Sequence, residues 1–239
     1  MEERVPIRSN EKAGKGRAKA YPELRAMCLE YRFWPRQQLL VDDLATLVHS
    51  SATPVREAVA RLAGEGLIDA IPNRGYFAKA LSAADMQHNI ALMFMLLRNV
   101  VERPDILAAW KDPADDRSPH TCEDAMAASE LLFRGLAALG GNQALTAQGN
   151  RILDFTRFVR RLDLEEPRAE ASMRALTEDL RGRLVEGDAA AARAILDATE
   201  LEVLARLGAV VAEGLVRSMP DDVDTRPTAS PVRAFLAPS

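Results

Sequence analysis

The stretch from Val41 to Gly75, VDDLATLVHSSATPVREAVARLAGEGLIDAIPNRG, constrains this chain more than any other. Leu44, Leu47 and Val48 fall on one face of a short helix at about Val41–Val48. His49-Ser50-Ser51-Ala52 is a polar turn. A further helix follows it. Ser51 or Thr53 supplies its N-cap, and Pro54 sits in the first turn, where a missing N–H costs nothing. Val55, Ala58, Val59 and Leu62 make its apolar face, Arg56, Ala60 and Arg61 point elsewhere, and Gly64 and Gly66 end it. Leu67–Ile71 and Tyr76–Ala80 then read as two short strands joined by Pro72-Asn73-Arg74-Gly75. Upstream, Leu24, Met27, Cys28 and Tyr31 repeat at helical spacing from Tyr21, until Pro35 stops that helix.

Three short helices and a hairpin are the layout of a winged helix-turn-helix. Such a fold inserts its last helix into the major groove and reads bases from the N-terminal turns. Ser51, Thr53 and Arg56 stand in those turns. Hydroxyls and free N–H groups at a helix start suit phosphate oxygens. A bidentate Arg56–guanine pair supplies roughly 1–3 kcal/mol of discrimination. At the hairpin tip, Arg74-Gly75 lets backbone and cation come close to DNA, because glycine leaves no side chain in the way. The plain alternative is a three-helix unit whose arginines are merely solvated.

Charge fits a two-part chain. The net charge of −4 divides unevenly: residues 1–80 carry 13 Lys and Arg against 10 Asp and Glu, and residues 81–239 carry 18 against 25. A basic front and an acidic rear imply different partners. At 239 residues and 48% hydrophobic, with only 5% aromatic, the chain can bury Ala-, Leu- and Val-based cores, and its composition favours helix. Cys28 and Cys122 stand far apart without CxxC spacing, which reads as buried thiols of a reducing cytoplasm rather than a disulfide or zinc site. The N-terminal residues lack the apolar core of a secretory signal, and no run of about 18 apolar residues marks a membrane span. GxSxG, P-loop and HExxH patterns are missing too, so no catalytic residue is assigned and no enzyme is expected.

The organisation reads as a mobile basic arm over 1–20, a winged helix over 21–80, a helical domain over 81–218 and a flexible Pro-containing tail over 219–239. From about residue 86 the helical tract breaks at Pro104, Asp112–Pro119, Gly140-Gly141-Asn142, Glu166-Pro167 and Gly187-Asp188. That implies an antiparallel bundle of about six helices. The fold class is therefore mainly α, with a two-stranded wing in front. Met93, Phe94, Met95, Leu96, Leu132 and Phe133 read as core, or as an apolar pocket lining. Trp34 and Trp110 read as packing anchors, and Arg160-Arg161 as a charged helix face or part of a pocket.

The segment LATLVHSSATPVREAVARLAGEGLI, followed by NRGYF, resembles the DNA-binding domain of GntR-type bacterial transcription regulators. Leu44, Ala45, Ser51, Thr53, Pro54, Val55, Arg56, Glu57, Ala58, Leu62, Glu65, Gly66 and Leu67 match that family's pattern, as does Arg74-Gly75. Phe33-Trp34-Pro35 fits its turn before the second helix. Two cations of the pattern are replaced, one by Asp42 and one by Ala52. DNA contact would then lean on Arg36, Arg61, Arg74 and the N-terminal arm.

Residues 86–217 resemble, more loosely, the helical effector domain of the FadR subfamily, the FCD domain. Leu97-Arg98 with Glu102, Glu130 to Arg134, Gly140-Gly141-Asn142 and Gly187-Asp188 with Ala192 carry that likeness. Many members hold a divalent metal with one Asp and three His. Here those positions fall on Glu130, Arg134, Thr177 and Thr199, so neither a metal nor another cofactor is expected. The same residues with Arg98 suit a small anionic organic effector, such as a carboxylate. Glu130 and Arg134, at i and i+4, equally satisfy each other.

The expectation is a cytoplasmic, homodimeric, ligand-responsive regulator, a repressor rather than an activator, bound to double-stranded DNA at a pseudo-palindrome. The alternatives are a constitutive binder with a plugged pocket and an interaction module that has lost DNA binding.

Overall fold

The computed structural model describes residues 11–108, 110, 122–139 and 141–219. They divide into two compact units. One holds the described residues up to Ala80 and from Ser218; the other is 81–217.

The first unit has three helices, α1 (Glu11–Leu29), α2 (Val41–Leu47) and α3 (Ala52–Gly64), then strands β1 (Ile68–Ile71) and β2 (Gly75–Ala78). Leu24, Phe33, Leu44, Val55, Val59 and Ile68 are buried in one cluster. The tight turn between α2 and α3 is closed by the Ser50 N–H donating to the Ala45 carbonyl (2.9 Å), with His49 at φ 48°. The strands pair antiparallel from Ile68 opposite Ala78 to Ile71 opposite Gly75.

Three local features differ from the sequence reading. α1 begins ten residues before Tyr21 and passes through Pro22. Residues 11–20 are therefore helical rather than a loose arm; EKAGKGRAKA has no apolar repeat to announce it. Ser51 is the backbone N-cap of α3, but its hydroxyl makes no capping bond. Residues 36–39 also add an outer edge to β2. There Leu39 N–H donates to the Tyr76 carbonyl (2.8 Å), Ala78 N–H to that of Gln37 (2.8 Å) and Arg36 N–H to that of Ala78 (3.0 Å).

The second unit contains α4 (Ala83–Val101), α5 (Pro104–Ala108), α6 (Cys122–Leu139), α7 (Gln143–Asp163), α8 (Pro167–Glu186) and α9 (Ala189–Arg217). The punctuation has visible causes. The Ser82 hydroxyl accepts from the Asp85 N–H (3.2 Å) to start α4. The Asn142 side chain accepts from the Ala144 and Leu145 N–H groups to start α7. Glu166 caps α8 ahead of Pro167, and Gly187 ends it with φ 73°. The Asp112–Pro119 break lies outside the described residues. Phe94, Phe133, Leu136, Ile152 and Leu196 are buried in this unit, as are Met93 and Leu132, whereas Met95 is exposed. Gly214 lets α9 press close: a Cβ there would stand 2.8 Å from Leu81 Cδ2 and 3.1 Å from Leu162 and Phe158. The architecture is the mainly helical one expected, a helix-turn-helix with a two-stranded sheet followed by a helical bundle.

Candidate functional site

The N-terminal end of α3 offers Ser51, Thr53 and Arg56, all exposed. They are held there because Pro54, Val55, Ala58, Val59 and Leu62 turn the opposite side of the helix into the core. Arg56 has no ion pair among the described residues. Free N–H groups at this end add partial positive charge. Asp42 is also exposed, in the first turn of α2, where its charge suits the helix end but opposes an incoming phosphate. Ala52 is half-buried and offers no donor.

At the wing tip, Arg74 N–H donates to the Ile71 carbonyl (3.0 Å), while Asn73 and Gly75 take φ 60° and 99°. The Arg74 guanidinium lies 5.7 Å from the centre of the Phe77 ring. Arg36 is exposed, and its backbone is left-handed at φ 63°. Sequence reasoning missed Gln38. Its amide reaches from the outer edge to donate to the Arg74 carbonyl (2.9 Å).

Arg61 is differently engaged from its fellow candidates. Its guanidinium stacks 3.8 Å from the centre of the Tyr21 ring and pairs with Glu65 at 3.0 Å. The Tyr21 hydroxyl donates to the same carboxylate at 2.6 and 2.8 Å, and Arg25 adds a cation at 3.7 Å. Burial pushes the Glu65 carboxyl up, but bonds from Tyr21 and Arg61 and the charges of Arg61 and Arg25 outweigh it and hold the group below its ordinary value. Burial first, and then the bond to Glu65, raise the Tyr21 phenol. This cluster ties α1 to α3. Cys28 is an inert thiol, pushed up to about 12 by burial.

In the second unit, three guanidiniums meet the Glu130 carboxylate. Arg160 lies at 2.8 Å, Arg157 at 3.6 Å and Arg134 at 4.0 Å. Arg160 is not a solvated helix face: its side chain is 6% exposed. It also donates to the Leu153 carbonyl (2.8 Å) and the Thr156 hydroxyl (3.1 Å). Burial pulls its pKa down, while Glu130 opposes that shift. Arg134 donates to Asn150 (2.8 Å) and Asp154 (2.6 Å).

The other expected pocket residues turn elsewhere. Arg98 pairs with Asp197 (3.0 Å) and Glu200 (2.5 Å) on α9. The Thr177 and Thr199 hydroxyls donate to the Met173 and Ile195 carbonyls of their own helices. Among the described residues, none of the three bonds to Glu130 or Arg134. Three guanidiniums around one carboxylate repel a divalent cation, so the residues present do not fit the metal that many FCD domains hold.

Residues 17–77 match the bacterial regulatory proteins of the gntR family. The chain is 26% identical over 151 residues to the Nta operon transcriptional regulator of Aminobacter aminovorans, covering 59% of this chain and 72% of that protein. It is 28% identical over 186 residues to an HTH-type transcriptional regulator in an unstable DNA locus of Streptomyces ambofaciens, covering 72% and 77%. Among solved structures it is similar to a GntR regulator from Rhodococcus sp. RHA1, with TM-score 0.57 and 17% identity over 82% of this chain and 98% of that one. E. coli McbR/YncC gives 0.54 and 18% over 81% and 97%.

Fold and exposed helix end together define a helix-turn-helix regulator with an appended helical domain. Residues 17–77 carry the DNA-binding domain of the gntR family of bacterial regulatory proteins, and the proteins to which more of the chain is similar are transcriptional regulators. No described helix is long and apolar enough to cross a membrane.

Proposed function

We propose that the chain is a dimeric repressor in the cytoplasm that reads a pseudo-palindromic DNA site through α3 and the wing. The observation that carries this reading is the cluster of Ser51, Thr53 and Arg56 at one exposed helix end. Ser51 and Thr53 meet phosphates, Arg56 a base edge, and Arg74, Gly75 and Arg36 the flanking backbone. Two-fold symmetry of the protein accounts for the two half-sites. Support for a dimer comes from α9, where Leu201 and Val216 are 73% and 72% exposed on a face otherwise made of Ala205, Gly208 and Ala212.

The helical unit senses an anionic organic effector that takes Glu130's place on Arg134 and Arg157. Affinity must differ between the two states of the protein for this to change DNA binding. A second reading is favoured by the pairing of Arg98, Arg134 and Arg160 with internal acids: a constitutive binder in which Glu130 is the permanent occupant. In either reading the helical unit is an FCD-type domain of the FadR subfamily, with its metal set replaced.

The test is DNA from the flank of the chain's own gene, titrated at several salt concentrations with a panel of carboxylates. The proposal expects steep salt dependence, sequence preference and release by at least one carboxylate. Preference without release leaves the constitutive reading. Arg56→Ala protein binding as tightly as wild type would sink the assignment of α3, and loss of all sequence preference would make the chain an interaction module.

A further inference from the structure

We propose that Gln38 is a positioning residue for the wing-tip cation Arg74. The inference rests on the reading that the wing meets DNA. Gln38 lies outside the helix-turn-helix and outside the hairpin, on the edge segment 36–39, opposite Phe77. Its side chain is exposed and adds nothing to the core. Its one described side-chain bond crosses 36 residues of sequence to the Arg74 carbonyl at 2.9 Å.

That carbonyl belongs to a tip where two residues, Asn73 and Gly75, have positive φ. Within the tip, the Arg74 N–H donates to the Ile71 carbonyl, where the ladder ends at Ile71 opposite Gly75. Gly75 suits the tip through its φ of 99° rather than through space, since a Cβ there would stand in ordinary contact with the Gln38 amide, 3.7 Å from Nε2. The Gln38 bond therefore fixes the tip from outside, and the Phe77 ring beneath the guanidinium limits where the side chain goes.

A tip held in place before binding loses less freedom when it meets phosphate. Gln38 thus raises affinity without touching DNA, through where it sets Arg74. Gln38→Met keeps the length and apolar stem but removes the donor. The proposal predicts that this change weakens DNA binding by roughly 2- to 10-fold, the range of one net hydrogen bond. Arg74→Ala should weaken it at least as much and lower the salt slope by about one. In the double variant, Gln38→Met should add almost nothing to Arg74→Ala.

The experiment is a salt-resolved titration of a short mixed-sequence duplex against the full chain and these three variants. Thermal melts of each confirm the fold, and the exposed Gln38 bond predicts a nearly unchanged midpoint. Additive losses would mean that Gln38 touches DNA itself and would overturn the proposal. Wild-type affinity in Gln38→Met, with Arg74→Ala impaired, would overturn it while leaving the wing reading intact. If neither change matters, the wing reading fails and takes this inference with it.

Discussion

In the N-terminal unit, Arg36, Arg56 and Arg74 have no carboxylate partner among the described residues. In the helical unit, Arg98, Arg134, Arg160 and Arg206 are each bonded to at least one acid, Arg206 gripping Asp163 with two bonds of 2.9 Å. The difference separates two uses of one side chain. An exposed guanidinium without a partner contributes little to folding and keeps its charge for an outside anion. A buried guanidinium has lost its water, and its acid partner becomes a condition of stability. The Arg61–Glu65–Tyr21 cluster shows that the N-terminal unit also uses arginine structurally, but on the side that joins α1 to α3.

The hardest way to break this contrast is Glu130→Ala. It strips Arg160 of its only described carboxylate partner, and the buried charge left behind should destabilise the helical unit by about 3 kcal/mol. Calorimetry should show that unit's transition falling while the N-terminal one stays. An unchanged melting profile would mean that Arg160 is solvated in solution. Arg56→Ala comes next and acts oppositely: roughly 1–3 kcal/mol of affinity is lost with little change in melting. Tyr21→Phe is smaller, about 1 kcal/mol of stability near neutral pH.

That third change also has a pH signature. The Glu65 carboxyl is depressed in the folded chain, so its contribution is present above the ordinary carboxylate value and fades as pH falls through the folded one. The Tyr21 phenol is raised, so its contribution is full below its ordinary value of 10.0 and fades as pH rises through the folded one. Tyr21→Phe should weaken the acid-side dependence and reduce the alkaline one in urea melts across pH, leaving the share that belongs to the buried Cys28 thiol. The least effect on stability belongs to Ser51→Ala. Its hydroxyl makes no cap bond, so the loss should stay under about 0.5 kcal/mol, against the ~1 kcal/mol usual for a working cap. A full capping loss would show that the hydroxyl serves the helix instead of DNA.

What the sequence conveyed depends on how local the cause was. The apolar face of α3, Pro54 in its first turn and the Gly- and Pro-marked breaks of the bundle are set by near neighbours, and the helices start and stop accordingly. Arg160 was unreadable because adjacent arginines on a helix point about 100° apart. Which of them turns inward is decided by Glu130, thirty residues away. The outer edge at 36–39 is likewise fixed by pairing with β2, and Arg61 by Tyr21, on another helix. Of the expected effector set, Glu130 and Arg134 meet, while the Thr177 and Thr199 hydroxyls bond carbonyls of their own helices, a local partner that spacing alone did not reveal.

One residue of the DNA-facing unit carries two opposed demands. Arg36 holds a left-handed backbone that suits glycine, at a cost of about 1–2 kcal/mol for a side chain. Glycine would relax the turn and delete a cation in a single step. Stability and charge are thus traded at one codon, and under the proposed phosphate contact of Arg36, selection for a sturdier fold alone would erode DNA affinity there.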